Sequence, residues 1–112
     1  NLADLYIRSF SDISGVEILQ EPIQTKSNYW LVTLRFTDAD PEVAHQKRIK
    51  LLEETYAQGL LLRPSWTLLN KHPMYTDCPS SDIPVAHDES HRLVNLPSSP
   101  FTSHLRSEYR NS

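Results

Sequence analysis

Tyr29-Trp30-Leu31-Val32-Thr33-Leu34-Arg35-Phe36 is the stretch that decides the fold class. In an extended chain Trp30, Val32, Leu34 and Phe36 point one way and Tyr29, Thr33 and Arg35 the other, with Leu31 as the exception. Such alternation belongs to an antiparallel strand with one face on a core and the other in water.

Downstream, Asp40 reads as a helix N-cap, Pro41 as the first helical residue and Glu42 as part of the first turn. This helix is expected to run to about Gln58 and stop at Gly59, burying Val43, Leu51, Leu52 and Tyr56. Leu60 to Arg63 follows as a short buried strand. Its arrival directly after the helix predicts that it lies beside the Trp30 strand. Upstream, Leu2, Leu5, Tyr6, Phe10 and Ile13 lie at helical spacing before Gly15, and Val16 to Leu19 is a strand candidate that ends at Glu21-Pro22.

Beyond Pro64 the chain is irregular to Pro84, with a further helix expected from Ser81 or Asp82 to Arg92, its inner side formed by Ile83, Ala86 and Leu93. Leu93 to Leu96 reads as a last short strand. The tail, 101–112, is polar and expected to fray. The pattern predicts one α+β domain over 1–112, a small antiparallel sheet of about three to four strands packed with helices.

At 112 residues, 38% hydrophobic and with a net charge of −3, the composition fits a single globular core and argues against a non-specific nucleic-acid binder. No apolar run reaches the length of a membrane span. One cysteine, Cys78, excludes an intramolecular disulfide and an all-cysteine zinc site, and favours a reducing compartment. Two glycines, Gly15 and Gly59, allow neither a phosphate-binding loop nor a dinucleotide fingerprint.

Three groups of residues suggest chemistry. His87 and His91 share a helical face at metal-ligand spacing, but Asp88 stands where a zinc protease has glutamate, and a third ligand from His72, His104 or Cys78 has no recognised spacing. Arg35 and Arg63 suit an anionic group unless surface carboxylates take them. Trp66 and Tyr75, by themselves, read as core filling beneath a long loop.

Four motifs taken in order carry a resemblance: "SNYWL" (27–31), "GLLLRPSW" (59–66), "HPMYTDCP" (72–79) and "LVNLPSSP" (93–100). Together they resemble the C-terminal part of the DegT/StrS-type sugar-nucleotide aminotransferases, from the first helix to about Pro100. The resemblance implies a domain of a longer enzyme on the aspartate-aminotransferase-like fold, which uses pyridoxal phosphate to aminate a nucleotide-linked keto-sugar. The chain begins at Asn1, already inside a helical pattern, so a segment before it is expected to have been removed. The resemblance also implies that the Schiff-base lysine lies upstream. Lys26, Lys47, Lys50 and Lys71 do not occupy its motif, so the chain alone is expected to lack catalytic residues, bound cofactor and activity.

Partners implied by the resemblance are the enzyme's large domain, a second subunit of a homodimer and the nucleotide-sugar, in the cytoplasm, with no nucleic acid and no membrane. The candidate substrate contacts are Arg63, Trp66, Asn70 and Tyr75. Asn70 stands where the family commonly has histidine, which keeps hydrogen bonding and loses proton transfer. Two other readings predict different things: a stand-alone interaction module that offers a sheet edge to a partner, and a metal site at His87 and His91. Apolar surface left by a missing large domain would make the fragment self-associate.

Overall fold

The structure, a computed structural model, describes residues 1–99. The tail expected to fray, and His104 within it, lie outside the described residues.

Helix α1 (Leu2–Phe10) starts in a capping box, with Asn1 Oδ1 accepting from the Asp4 amide and Asp4 accepting from the amino terminus. It stops at Phe10, short of the expected Ile13, and Gly15 (φ +84°) instead turns the chain into β1 (Val16–Ile18). Strand β2 is Val32–Phe36, with Val32, Leu34 and Phe36 buried. Trp30 precedes the strand and is 68% exposed, so its expected place in the core alternation is corrected.

Helix α2 (Pro41–Ala57) begins as the sequence predicts, with the Asp40 carboxylate accepting from the Glu42 amide at 2.9 Å. At its end Leu60 N–H donates to Thr55 O and Gly59 N–H to Tyr56 O, with Gly59 at φ +78°, which is the Schellman arrangement. Its inner stripe is Ala44, Arg48, Leu51, Leu52 and Thr55. Val43 and Tyr56 are exposed, against expectation. Val43 lies nine residues from Leu52, about 180° around the helix, so a one-sided core cannot cover both.

The sheet order is β1-β2-β4-β3, antiparallel throughout, with β3 at Arg63–Pro64 and β4 at Leu93–Leu96. Between these two strands the chain makes short 3₁₀ turns at Leu69–Lys71 and Pro73–Tyr75 and a one-and-a-half-turn helix, α3 (Pro84–Glu89). Helix α3 is shorter than expected at both ends, leaves Ala86 exposed and gives Leu93 to β4. The antiparallel α+β class therefore holds, but β3 is not the neighbour of β2; β4 lies between them. Pro64 lacks the amide hydrogen a central strand needs, which confines β3 to an edge.

One face of the sheet carries the core. Leu34 pairs with Ile18 and with Val94, and Val32 pairs with Leu96, so their side chains form one layer. Ala3 of α1 and Ala44 of α2 close on that layer, and small residues there let the helices approach. The Tyr6 hydroxyl, donating to Pro97 O at 2.7 Å, ties α1 to the end of β4. Leu62 joins the core, while Leu60 and Leu61 stay exposed; all three precede β3, which starts at Arg63 and not at Leu60 as expected.

Two buried arginines fasten the periphery. Arg92, 4% exposed, forks onto Asp88 (2.8 and 3.3 Å) and donates to Phe36, Asp38 and Ala39 carbonyls, which fixes the turn before α2. Arg48 donates to Ser90 O at the end of α3 and to Ser65 Oγ.

Candidate functional site

The register that builds the core also builds the opposite face. Thr33 and Arg63 both lie opposite Asn95, so the three side chains form a row across β2, β4 and β3 on the side away from α1 and α2. Thr33 Oγ1–H donates to Asn95 Oδ1 at 2.8 Å, so the row is fixed at its centre.

Beside this row a cleft of about 440 Å³ runs along β4. Its lining includes Trp30, Leu31, Arg63, Trp66 and Asn95. Arg63 and Trp66 also border a second depression of about 520 Å³ with Thr67, Leu69 and His72 among its lining. A third, of about 510 Å³, is lined by Leu68, Leu69, Asn70, Tyr75, Cys78 and Ile83 among others.

The four expected contact residues therefore separate into two pairs. Arg63 and Trp66 share the β4 cleft, while Asn70 and Tyr75 share the third depression, which meets the second at Leu69. Trp66 is 74% exposed and Tyr75 44%, so neither fills a core as the bare sequence suggested. Tyr75 instead stands edge-on to His72, with ring centroids 6.5 Å apart. Trp30 and Asn95 are the residues the sequence reading left out. Asn95, flanked by Val94 and Leu96, was legible as the outward member of an alternating strand; Trp30 was assigned to the wrong face.

Arg35 is not an open anion receptor. It forks onto Glu89 and reaches Glu17 at 3.3 Å. Hydrogen bonding from Arg35 pulls the Glu89 carboxyl below its usual range, and the same contact raises the guanidinium further above its own. Arg63 makes no ion pair or side-chain hydrogen bond among the described residues.

The His87 and His91 rings lie 5.0 Å apart, and His45 of α2 joins them at 5.4 Å from His91. His91 Nδ1 donates to His87 O at 2.8 Å, and His45 Nδ1 lies 3.1 Å from Arg48 Nη2. Among the described residues no group of three or more His, Cys, Asp or Glu side chains has metal-holding geometry. No helix of the described residues is long and apolar enough to cross a membrane.

Pyridoxal phosphate, which the resemblance implies, requires a lysine held at the cofactor and an acid beside its ring nitrogen. Lys26, Lys47, Lys50 and Lys71 are all exposed, with Lys47 paired to Asp38 at 2.5 Å and Lys50 near Glu54 at 3.9 Å.

No curated protein matches the chain. A solved aminotransferase, TlmJ from Streptoalloteichus hindustanus, is similar in fold, with a TM-score of 0.64 at 18% identity. The match covers 86% of this chain and only 24% of that one. A model of the DegT/DnrJ/EryC1/StrS aminotransferase family matches residues 1–108, nearly the whole sequence, and the chain belongs to that family.

Proposed function

We propose that the chain is the small C-terminal domain of a pyridoxal-phosphate-dependent aminotransferase acting on a nucleotide-linked keto-sugar. The observation that carries this reading is the family match over 1–108 in a chain whose lysines are all exposed. The domain then contributes substrate contacts, from Arg63, Trp66, Asn70 and Tyr75. A large domain supplies the lysine and holds the cofactor, and a second subunit completes a cytoplasmic homodimer. The cofactor, when bound there, supplies the electron sink for amino transfer; the role of this chain is to bind and orient.

The test compares the full-length gene product with the 112-residue chain. The full-length protein is expected to transfer an amino group to a nucleotide-linked keto-sugar and to retain pyridoxal phosphate. The chain alone is expected to form no borohydride-stable adduct with pyridoxal phosphate. A specific adduct on Lys26, Lys47, Lys50 or Lys71, or a full-length product without transaminase activity, would overturn the reading.

A further inference from the structure

We infer that residues 66–89, the excursion of the chain between β3 and β4, are held at their neck by a proton-sensitive clasp built from His45, Arg48, Ser65 and Ser90. The clasp is a property of the fold and does not depend on what the excursion binds.

Both ends of the excursion meet at Arg48. Its Nη1 donates to Ser90 O at the end of α3, and lies 3.4 Å from Ser65 Oγ, one residue past β3. Ser65 closes the neck a second time: its hydroxyl donates to Ser90 O at 3.3 Å and its amide to Leu93 O at 3.2 Å. Hydrogen bonds of residues 66–83 stay within the excursion among the described residues, so its attachment to the domain is concentrated at the neck.

The clasp contains an imidazole whose protonation state is fixed by its neighbour. Arg48 is 9% exposed and has no carboxylate beside it among the described residues, and its Nη2 lies 3.1 Å from His45 Nδ1. A guanidinium only donates, so His45 Nδ1 accepts and the ring proton sits on Nε2. The half-buried His45 is therefore bound in its neutral form. A second proton would turn Nδ1 into a donor facing a donor, and would set two cations together where burial already disfavours one.

The surrounding charges leave that conflict in place. His91 Nδ1 donates to His87 O at 2.8 Å, so a proton on its Nε2 keeps that bond and adds charge 5.4 Å from the His45 ring. His87 stands 5.0 Å beyond His91. The nearby acids are committed elsewhere: Asp88 to Arg92, Glu89 to Arg35, and Glu42, one turn before His45, to Gln46. Asp88 feels the charge of His91, but the arginines hold both Asp88 and Glu89 below their usual range, so neither titrates where imidazoles do. The closed neck is thus stable above the imidazole range and is lost as pH falls through it.

Amide hydrogen exchange at Ser65, whose N–H bonds across the neck, reads the opening in the 112-residue chain. Corrected for intrinsic rate, it is expected to quicken about tenfold from about pH 7.5 to 5.5, the factor for one imidazole kept neutral in the closed form. His45→Asn gives Arg48 an acceptor that does not titrate, and should abolish this dependence; His87→Gln should retain it. Imidazole nitrogen shifts of the unsubstituted chain near neutral pH should place the His45 proton on Nε2.

Exchange at Ser65 that stays flat across the interval, or that quickens equally in His45→Asn, would overturn the clasp. So would a His45 proton on Nδ1, a result that is read without any variant. None of these outcomes touches the aminotransferase reading.

Discussion

Arg35 grips Glu89 with two parallel hydrogen bonds, Nε to Oε2 at 2.8 Å and Nη2 to Oε1 at 2.7 Å. The pair joins β2 to the end of α3, and both side chains are about three-quarters covered, 25% and 28% exposed. A forked contact of this kind holds direction as well as charge.

The pair sets a pH dependence. Glu89 is pulled below its ordinary value by Arg35, as Asp88 is by Arg92 and Asp38 by Lys47. A carboxyl depressed in the folded state contributes stability above its unfolded pKa, about 4.3 for glutamate, and loses it as pH falls through the folded value. Urea-unfolding free energies are therefore expected to decline below about pH 4.5. Arg35→Met is expected to cost about 1–2 kcal/mol at pH 7 and to make that decline shallower. An acid-side slope unchanged by the substitution would refute the linkage.

Arg48 is buried at 9% exposure with no carboxylate beside it among the described residues, and its Nε has no partner. Burial pulls its pKa below the ordinary arginine value. Arg48→Ala is expected to lose about 2–4 kcal/mol through the cavity and the lost hydrogen bonds to the Ser90 and Leu93 carbonyls, each of which keeps one from Ser65. Arg48→Met keeps the stem packing and removes the desolvated charge, so it should lose less. Chemical denaturation of the two variants ranks them; equal losses would mean that stem packing contributes nothing.

The core shared by β2 and α2 is open to a direct comparison. Leu34→Ala is expected to lose about 3–5 kcal/mol, since Leu34 is 2% exposed at the centre of the core. Val43→Ala should stay within about 0.5 kcal/mol, whereas Ala44→Leu, at a position fully covered by the sheet, should lose about 1–3 kcal/mol by overpacking. A larger loss from Val43→Ala than from Ala44→Leu would reverse the helix face.

Gly59 sits at φ +78° in the stop of α2, and nothing lies within 4 Å of a Cβ built there. The cost of Gly59→Ala is therefore torsional, about 1–2 kcal/mol. Gly59→Asn should lose less, because asparagine tolerates the left-handed region. Thermal denaturation checks the order of the two.

Much of the fold is local chemistry and was legible in the residues. The Asp40-Pro41 start of α2, the Gly59 stop, the Val32-Leu34-Phe36 alternation and the Leu93–Leu96 strand each depend on neighbours within one or two turns of chain. The site was legible in part: Arg63 and Trp66 lie together as their shared motif suggested, but Asn70 and Tyr75, on the same loop, turn to another depression. A loop punctuated by 3₁₀ turns carries no period from which facing can be read.

By itself the sequence determined the elements and their order, because capping, periodicity and proline's missing donor act over a few residues. It did not show that β3 is an edge strand: Pro64 reads as the end of a strand until the order β1-β2-β4-β3 places it in one. Only the tertiary structure decided that β4 pairs with both β2 and β3, since register is a contest between distant segments for one covered face. That choice exposes Trp30, buries Arg48 and lines up Thr33, Asn95 and Arg63. None of these follows from local pattern, because burial and facing belong to whatever strand or helix arrives from elsewhere in the chain.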